Sequence, residues 1–583
     1  MTGSQRHGDR EIRATDESRS VMSKLSPSTE VSQLQILVDG GYGILFAFAA
    51  LTFTTMAGSC STHTPQSTHR TSVQAELHDA SSSSEWLTYG HDYSNRRFSS
   101  LLQINPRNVS HLIPAYVFQT GVLGPFETTP VVSNGVMYIS TAYDGVFAID
   151  ARTGDQLWKR PPLAGSFRQC CGPVNRGVAI TDDLVIIGQL DGVLVALDRR
   201  SGDIRWVTPV ADNASGYSIT MAPLIYGSSV LIGVAGGEFG IRASLSSYSI
   251  RNGNLQWRWY ATDPRHWFGT SPRLRSDHGQ YDVRTSVRLK KKFADSWKRG
   301  GGGIWTTPAI DQNTNTIFVT TGNPWPDDDG GQRPGDNLFT DCIVALDAST
   351  GRMRWYFQQT PHDLNDLDAA SPPVLFNTVD DAGHEVEAVG EVGKTGFFYE
   401  LDRATGRLIR RSRDLSSLDV VKREAKSWQG GSGWSPVSFD PGLRYAIVSA
   451  AQHLKLEVGS QSKKTSESLH DPGWNSGYGT VSAVDVTTGR VVWQDKFDEG
   501  LAGGSVSTGG GVTFVGEGNG YFDALETESG VRLWQFQTGA GVNAAPITFA
   551  LNNQEYVAVA SGGNQQFGTP YGDSVFVFRL GEP

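Results

Sequence analysis

The chain has 583 residues, 60 of them acidic and 50 basic, with a formal charge of −10 when histidine is neutral. That balance, with no basic stripe along the chain, excludes nucleic acid as a partner. Four cysteines are too few for a disulfide framework, and their spacing matches neither a C-x-x-C zinc site nor a C-x-x-C-H haem attachment, so any electrons handled here must leave on another molecule.

Residues 1–84 read as a leader. Residues 44–56 form an apolar run too short for a spanning helix and suited to a signal-peptide core. Lys24 is the nearest cation before it, and Met22 is an alternative start. Ala57, Gly58 and Ser59 place small residues before Cys60, loosely like a bacterial lipoprotein processing site. Residues 61–84 are rich in Ser, Thr and His and read as a flexible tether. The expectation is export, periplasmic or secreted, with lipidation at Cys60 and membrane anchoring through this segment left open.

From residue 85 onward the chain repeats itself. Alternating small and apolar residues lead to an acidic or polar residue, then Thr-Gly or its equivalent, then a tryptophan. The copies start at Ala148, Ala196, Tyr248, Ala345, Ala483 and Ala524 and end on Trp158, Trp206, Trp257, Trp355, Trp493 and Trp534. A seventh copy, from Leu401, lacks the tryptophan. Each unit reads as a strand, a tight turn and a second strand whose aromatic packs on a neighbouring sheet. One such unit cannot bury its apolar face alone, so the units must stack. Seven copies, with the opening and closing strands completing one more sheet, predict an all-β, eight-bladed propeller of four-stranded antiparallel blades over residues 85–583. A basic cluster at 288–292 falls in a polar insertion and reads as a solvated loop.

Cys170 and Cys171 are adjacent. Their Cα atoms must lie about 3.8 Å apart, whereas ordinary disulfides favour roughly 5.5–6 Å. Two readings stay open on these residues alone: a pair of buried free thiols, or a small strained ring with a flat, hard face.

The repeats together with the run Arg168 to Gly177 resemble the quinoprotein alcohol dehydrogenase family; the repeat alone is shared with a lipoprotein of the bacterial outer-membrane assembly machinery. The resemblance implies that Cys170 and Cys171 form the ring that stacks on pyrroloquinoline quinone (PQQ). It implies that Arg176 binds a cofactor carboxylate and that Trp305, after a run of four glycines, covers the opposite face. Glu127 and Thr220 would bind the cofactor's periphery. Glu238 and Asn323 would be metal ligands, and oxygen-only ligands suit a hard cation. Asp366 would be the catalytic base and a ligand. Asp368 would be the further ligand associated with lanthanide in place of Ca²⁺, on the same face as Asp366 if the segment is extended. Lys394 would stabilise charge developing on the quinone.

The chain departs from the family at Asn365 and Ala502, where tryptophan is usual, and at Ala235 and Gly433. These changes predict a roomier or more polar entrance or, alternatively, weakened cofactor binding. The implied function is oxidation of an alcohol (secondary, polyol or polymeric) to an aldehyde or ketone, with a separate electron acceptor such as a c-type cytochrome. The competing reading is a propeller scaffold lipoprotein of the cell envelope.

Overall fold

The computed structural model describes residues 72–271, 286–327, 329–417, 431–452 and 477–582. The signal-like run, Cys60 and Met22 lie outside these residues. Among the described residues the strands form eight sheets, the blades of a β-propeller. Blade one runs outward from the axis through Val131–Ser133, Val136–Ser140, Val146–Asp150 and Gln156–Arg160, each strand antiparallel to the next. Its middle strands are apolar on both faces and bury Met137, Ile139, Phe147 and Ile149, because every blade is packed between two others. The outermost strand faces solvent and buries only Trp158.

The turns and tryptophans of the repeat do separate work. Asp150 Oδ1 accepts from the amides of Arg152 (2.9 Å) and Thr153 (3.0 Å), tightening the turn, and Asp198 and Asp347 repeat the pattern. Trp158 Nε1 then reaches into the next blade, donating to the Arg199 carbonyl at 3.0 Å. Its ring lies over Gly202, where a Cβ would be 2.6 Å from it and φ is +77°, so only glycine fits. The same latch joins Trp206 to Ile250, Trp257 to Ala348, Trp355 to Arg403 and Trp493 to Thr527. Two junctions achieve it without tryptophan. Arg410, aligned with the tryptophan missing from the seventh copy, donates to the Val486 carbonyl and lies over Gly489. Where the ring closes, the Tyr116 hydroxyl donates to the Ala151 carbonyl at 2.9 Å and its ring covers Gly154.

Closure joins the two ends of the propeller chain. Leu112–Gly124 pairs antiparallel with Gly572–Leu580, completing blade eight with Ile547–Leu551 and Gln554–Ser561. Blade seven gains a fifth strand, the two-residue Phe98–Ser99, parallel to Ser505–Thr508. Just before it, the chain crosses the inner strands as a plug. Tyr93, Ser94, Arg96 and Arg97 offer their carbonyls to the amides of Ile310, Leu375, Phe439 and Ser507 in four successive blades. Arg97 is fully buried there: Nε donates to the Ser505 carbonyl at 3.1 Å, Nη2 to that of Pro546 at 2.6 Å, and Nη1 to that of Tyr89.

Two expectations need correction. The tether reading fails at the end of 61–84, where Val73–His78 is an α-helix capped by Ser72; Val73 and Leu77, one turn apart, are buried, and the Val73 amide donates to Asp182 Oδ1 at 2.8 Å. The basic cluster at 288–292 belongs to the helix Ser286–Lys292 instead of a loop, with Lys290 Nζ donating to the Phe268 carbonyl at 2.8 Å. Among the described residues no helix is long and apolar enough to cross a membrane.

Candidate active site

Antiparallel blades place two kinds of loop at the same end of the propeller: the loop entering each inner strand, and the loop joining strands two and three. All the predicted site residues come from these loops. Cys170, Cys171 and Arg176 precede blade two, Thr220 blade three, Trp305 blade four, and Asp366 and Asp368 blade five. Glu238, Asn323 and Lys394 lie between the second and third strands of blades three, four and five. Together they surround a cavity of about 390 Å³, lined by Cys170, Cys171, Arg176, Thr220, Glu238, Trp305, Asp366, Asp368 and Lys394. Glu127 and Asn323 stand just behind this wall.

On one side Cys170 and Cys171 are joined as a disulfide, their Cα atoms 3.8 Å apart. Arg176 pairs with buried Glu127 at 2.8 Å and donates to Thr220 Oγ1 at 3.1 Å. Burial pushes the Glu127 carboxyl up, and Arg176 opposes that. The Arg176 guanidinium lies 5.5 Å from the ring centroids of both Trp305 and Trp434. Its Nε is buried without a hydrogen-bond partner, a donor left for a ligand. Glu127 is therefore a support for Arg176 and not part of the cavity wall.

The acidic side is built by a folded loop. Asp363 accepts from the amides of Asn365 (2.9 Å) and Leu367 (2.6 Å), which turns the chain so that Asp366 adopts φ +56°. The segment is thus not extended, yet Asp366 and Asp368 still converge on Lys394 Nζ, at 2.9 and 2.5 Å. Burial raises the Asp366 carboxyl well above the usual range; Lys394 pulls it down and Asp368 pushes it up. Burial disfavours the Lys394 ammonium, but the two carboxylates outweigh it and hold it above the ordinary lysine range. Asp368 Oδ1 also accepts from the Asn323 amide at 2.6 Å.

Glu238 occupies a one-turn helix, Gly237–Phe239, flanked by glycines with left-handed backbone. Its side chain is solvent-accessible and lines the cavity. The protein packed around it pushes its carboxyl up to about 7, with Asp368 and Asp327 adding like charge. Among the described residues, one group of three His, Cys, Asp or Glu side chains brings its ligand atoms within 4.8 Å of one another, Cys170, Cys171 and Glu238, and the two sulfurs in it are tied up in the disulfide. Of the four expected oxygen ligands, Asp366 and Asp368 meet at the Lys394 ammonium, and Asp368 is tied to Asn323 through the Asn323 backbone amide.

Trp434, Asp327 and Gln566 are among the lining residues that the sequence reading did not single out. Trp434 meets Trp305 edge-on at 6.4 Å and Phe567 at 5.6 Å, and its place after Gly433 echoes the glycine prelude of Trp305. Asp327 opens an Asp-Asp-Asp run that looks like a solvated turn. Gln566 comes from blade eight, which carries no repeat motif.

A flat disulfide, two indoles, a buried arginine with a spare donor and a set of oxygen ligands suit a planar anionic cofactor beside a hard cation. The residues present fit that pair, and the class they define is a cofactor-dependent propeller enzyme. A family model described as glucose/ethanol/alcohol dehydrogenase, beta-propeller domain, matches residues 86–412. Another, described as outer membrane protein assembly factor BamB, matches 477–568, a stretch with none of the predicted site residues. The chain is 33% identical over 525 residues to quinoprotein alcohol dehydrogenase PedH of Pseudomonas putida, covering 83% of this chain and 87% of that one. It is 32% identical over 540 residues to the quinohemoprotein alcohol dehydrogenase of Comamonas testosteroni, covering 84% and 74%. The crystal structure of the Comamonas testosteroni quinohemoprotein superposes with a TM-score of 0.73 at 28% identity, covering 88% and 82%. A europium-containing methanol dehydrogenase superposes at 0.72 and 27%, covering 87% and 100%. This chain belongs to the quinoprotein alcohol dehydrogenase family. It is a PQQ-dependent enzyme.

Proposed function

We propose that this enzyme works outside the cytoplasm, oxidises secondary, polyol or polymeric alcohols to ketones or aldehydes, and passes electrons to a separate acceptor such as a c-type cytochrome. The observation that carries the reading is the junction of Asp366, Asp368 and Lys394 on the wall of the cavity that Cys170–Cys171 and Trp305 also line. Cys170–Cys171, Trp305, Arg176 and Thr220 would hold PQQ, with Glu127 fixing Arg176. Glu238, Asn323, Asp366 and Asp368 would hold the cation. Bound there, PQQ supplies a two-electron acceptor and the cation supplies positive charge.

The chain's own residues then handle the proton and the alcohol. Asp366 takes the hydroxyl proton, and burial makes it a stronger base than an exposed carboxylate. Lys394 orients Asp366 and balances its charge. Three carboxylates among the ligands favour a trivalent over a divalent ion. Asn365 and Leu364 put a polar and an apolar side chain side by side on the cavity wall next to Asp366. With Asn365 and Ala502 where tryptophan is usual, this supports a branched or extended alcohol over a tight methanol-type fit.

The test is metal-free protein reconstituted with PQQ plus Ca²⁺ or La³⁺, followed by dye reduction across primary, secondary, polyol and polymeric alcohols. We expect turnover with both ions, higher with La³⁺, and preference for the bulkier alcohols. Absence of PQQ binding and of turnover with either ion rejects the reading.

A further inference from the structure

We propose that Asp327 is the positioning residue that turns Asn323 into an oxygen donor for the cation. The inference rests on the metal reading above and deepens it.

An asparagine amide can present either its oxygen or its nitrogen to a neighbour, and only the oxygen can ligate a hard cation. Here the choice is made by acceptors on one side. Asn323 Nδ2 faces the Asp327 Oδ1 carboxylate at 2.9 Å and the Pro324 carbonyl at 3.4 Å. A flipped amide would set its oxygen against both of these oxygens, so the nitrogen must lie there. Oδ1 is left pointing the other way, toward the turn that carries Glu238; a Cβ built on Gly237 would be 3.8 Å from it.

Asp327 is itself held rigidly enough to impose this choice. Arg333, fully buried, donates from Nε to the Pro326 carbonyl at 2.7 Å and from Nη2 to the Asp327 carbonyl at 2.9 Å. The same guanidinium donates to the Asp363 carbonyl, so one side chain clamps the Asp327 loop to the loop bearing Asp366 and Asp368. Asn323 is gripped from its other side by Asp368 Oδ1 on its backbone amide, at 2.6 Å. Its backbone and the nitrogen edge of its amide are thus both fixed by carboxylates, and only the amide oxygen remains for a cation. Partners that orient metal ligands in this way typically carry a 10–100-fold share of metal affinity.

Full-length parent, Asp327→Ala and Asp327→Asn, chelator-washed and supplied with PQQ, are titrated with Tb³⁺, following luminescence sensitised by tryptophan. Asn at this position still accepts from Nδ2, whereas Ala cannot. We expect the Ala variant to bind Tb³⁺ about tenfold or more weakly and the Asn variant to recover most of that loss. Tb³⁺ affinity of the Ala variant equal to the parent's overturns the proposal, as does an Asn variant as weak as the Ala variant. A parent that shows no saturable Tb³⁺ signal overturns the metal reading and this proposal with it. Parent binding with an unaffected Ala variant overturns this proposal alone.

Discussion

Arg97 in the plug and Lys394 in the cavity are both buried cations, and the propeller satisfies them in opposite ways. Arg97 is surrounded by backbone carbonyls, those of Tyr89, Ser505 and Pro546. Carbonyls neither titrate nor leave, so the charge is locked and the plug permanent. Lys394 is met instead by the Asp366 and Asp368 carboxylates, which can accept a proton or turn to another cation. The same physical problem is solved for permanence beneath the site and for exchange within it. Removing a group from the cavity should therefore cost chemistry, and removing one from the plug should cost stability.

The largest expected effect tests the exchange side. Asp366→Asn should keep PQQ, judged by cofactor absorbance, and lose about 10²–10⁴ in kcat. Turnover within about tenfold of the parent would remove Asp366 as the base. Next in size, Arg97→Met should leave three carbonyls without their donor and lower unfolding stability by about 3 kcal/mol or more, read from the denaturant midpoint. KM and kcat in the cold should stay at parental values; a loss of kcat without a loss of stability would break the contrast between the two regions.

The smallest effect is a pH dependence in the plug. His91 is buried there, and burial, with Arg96, lowers its pKa to about 4 against the opposing charge of Asp92. A depressed folded-state pKa means the unfolded chain binds the proton more readily. The stability His91 contributes is complete above its unfolded value near 6.5 and is lost as pH falls toward 4, about 3 kcal/mol in all. Glu391 and Glu400, buried and raised to about 8, act with the opposite sign, so the informative quantity is a difference. His91→Phe should unfold less steeply with acid than the parent between these limits, and parallel curves would show that His91 does not titrate on unfolding.

The legible parts of this molecule were those with a local rule. An Asp, a Thr-Gly turn and a tryptophan recur because each latch needs a tight turn and a flat donor. Blade eight was reached only by counting, since Tyr116 and the chain ends carry no motif. Arg410 was invisible as a latch because a guanidinium does not look like an indole, although it donates to the same carbonyl position. In the site, Cys170, Cys171, Arg176, Asp366, Asp368 and Lys394 came from segments that match a family pattern residue by residue. Asp327 did not, because its role depends on Arg333 folding the loop back and on an amide four residues upstream. Val73 and Leu77 were likewise hidden, two apolar residues in a stretch rich in serine, threonine and histidine.

The pairing of Leu112–Gly124 with Gly572–Leu580 sets a rule for biosynthesis. The first long strand cannot find its partner until nearly the whole chain has been made. Every shorter nascent form carries an unpaired edge of thirteen residues, Leu112–Gly124, and such an edge is a template for pairing with another chain. A premature stop before Gly572 would yield an open ring with that edge exposed, so the last strand guards the protein's solubility as much as its shape.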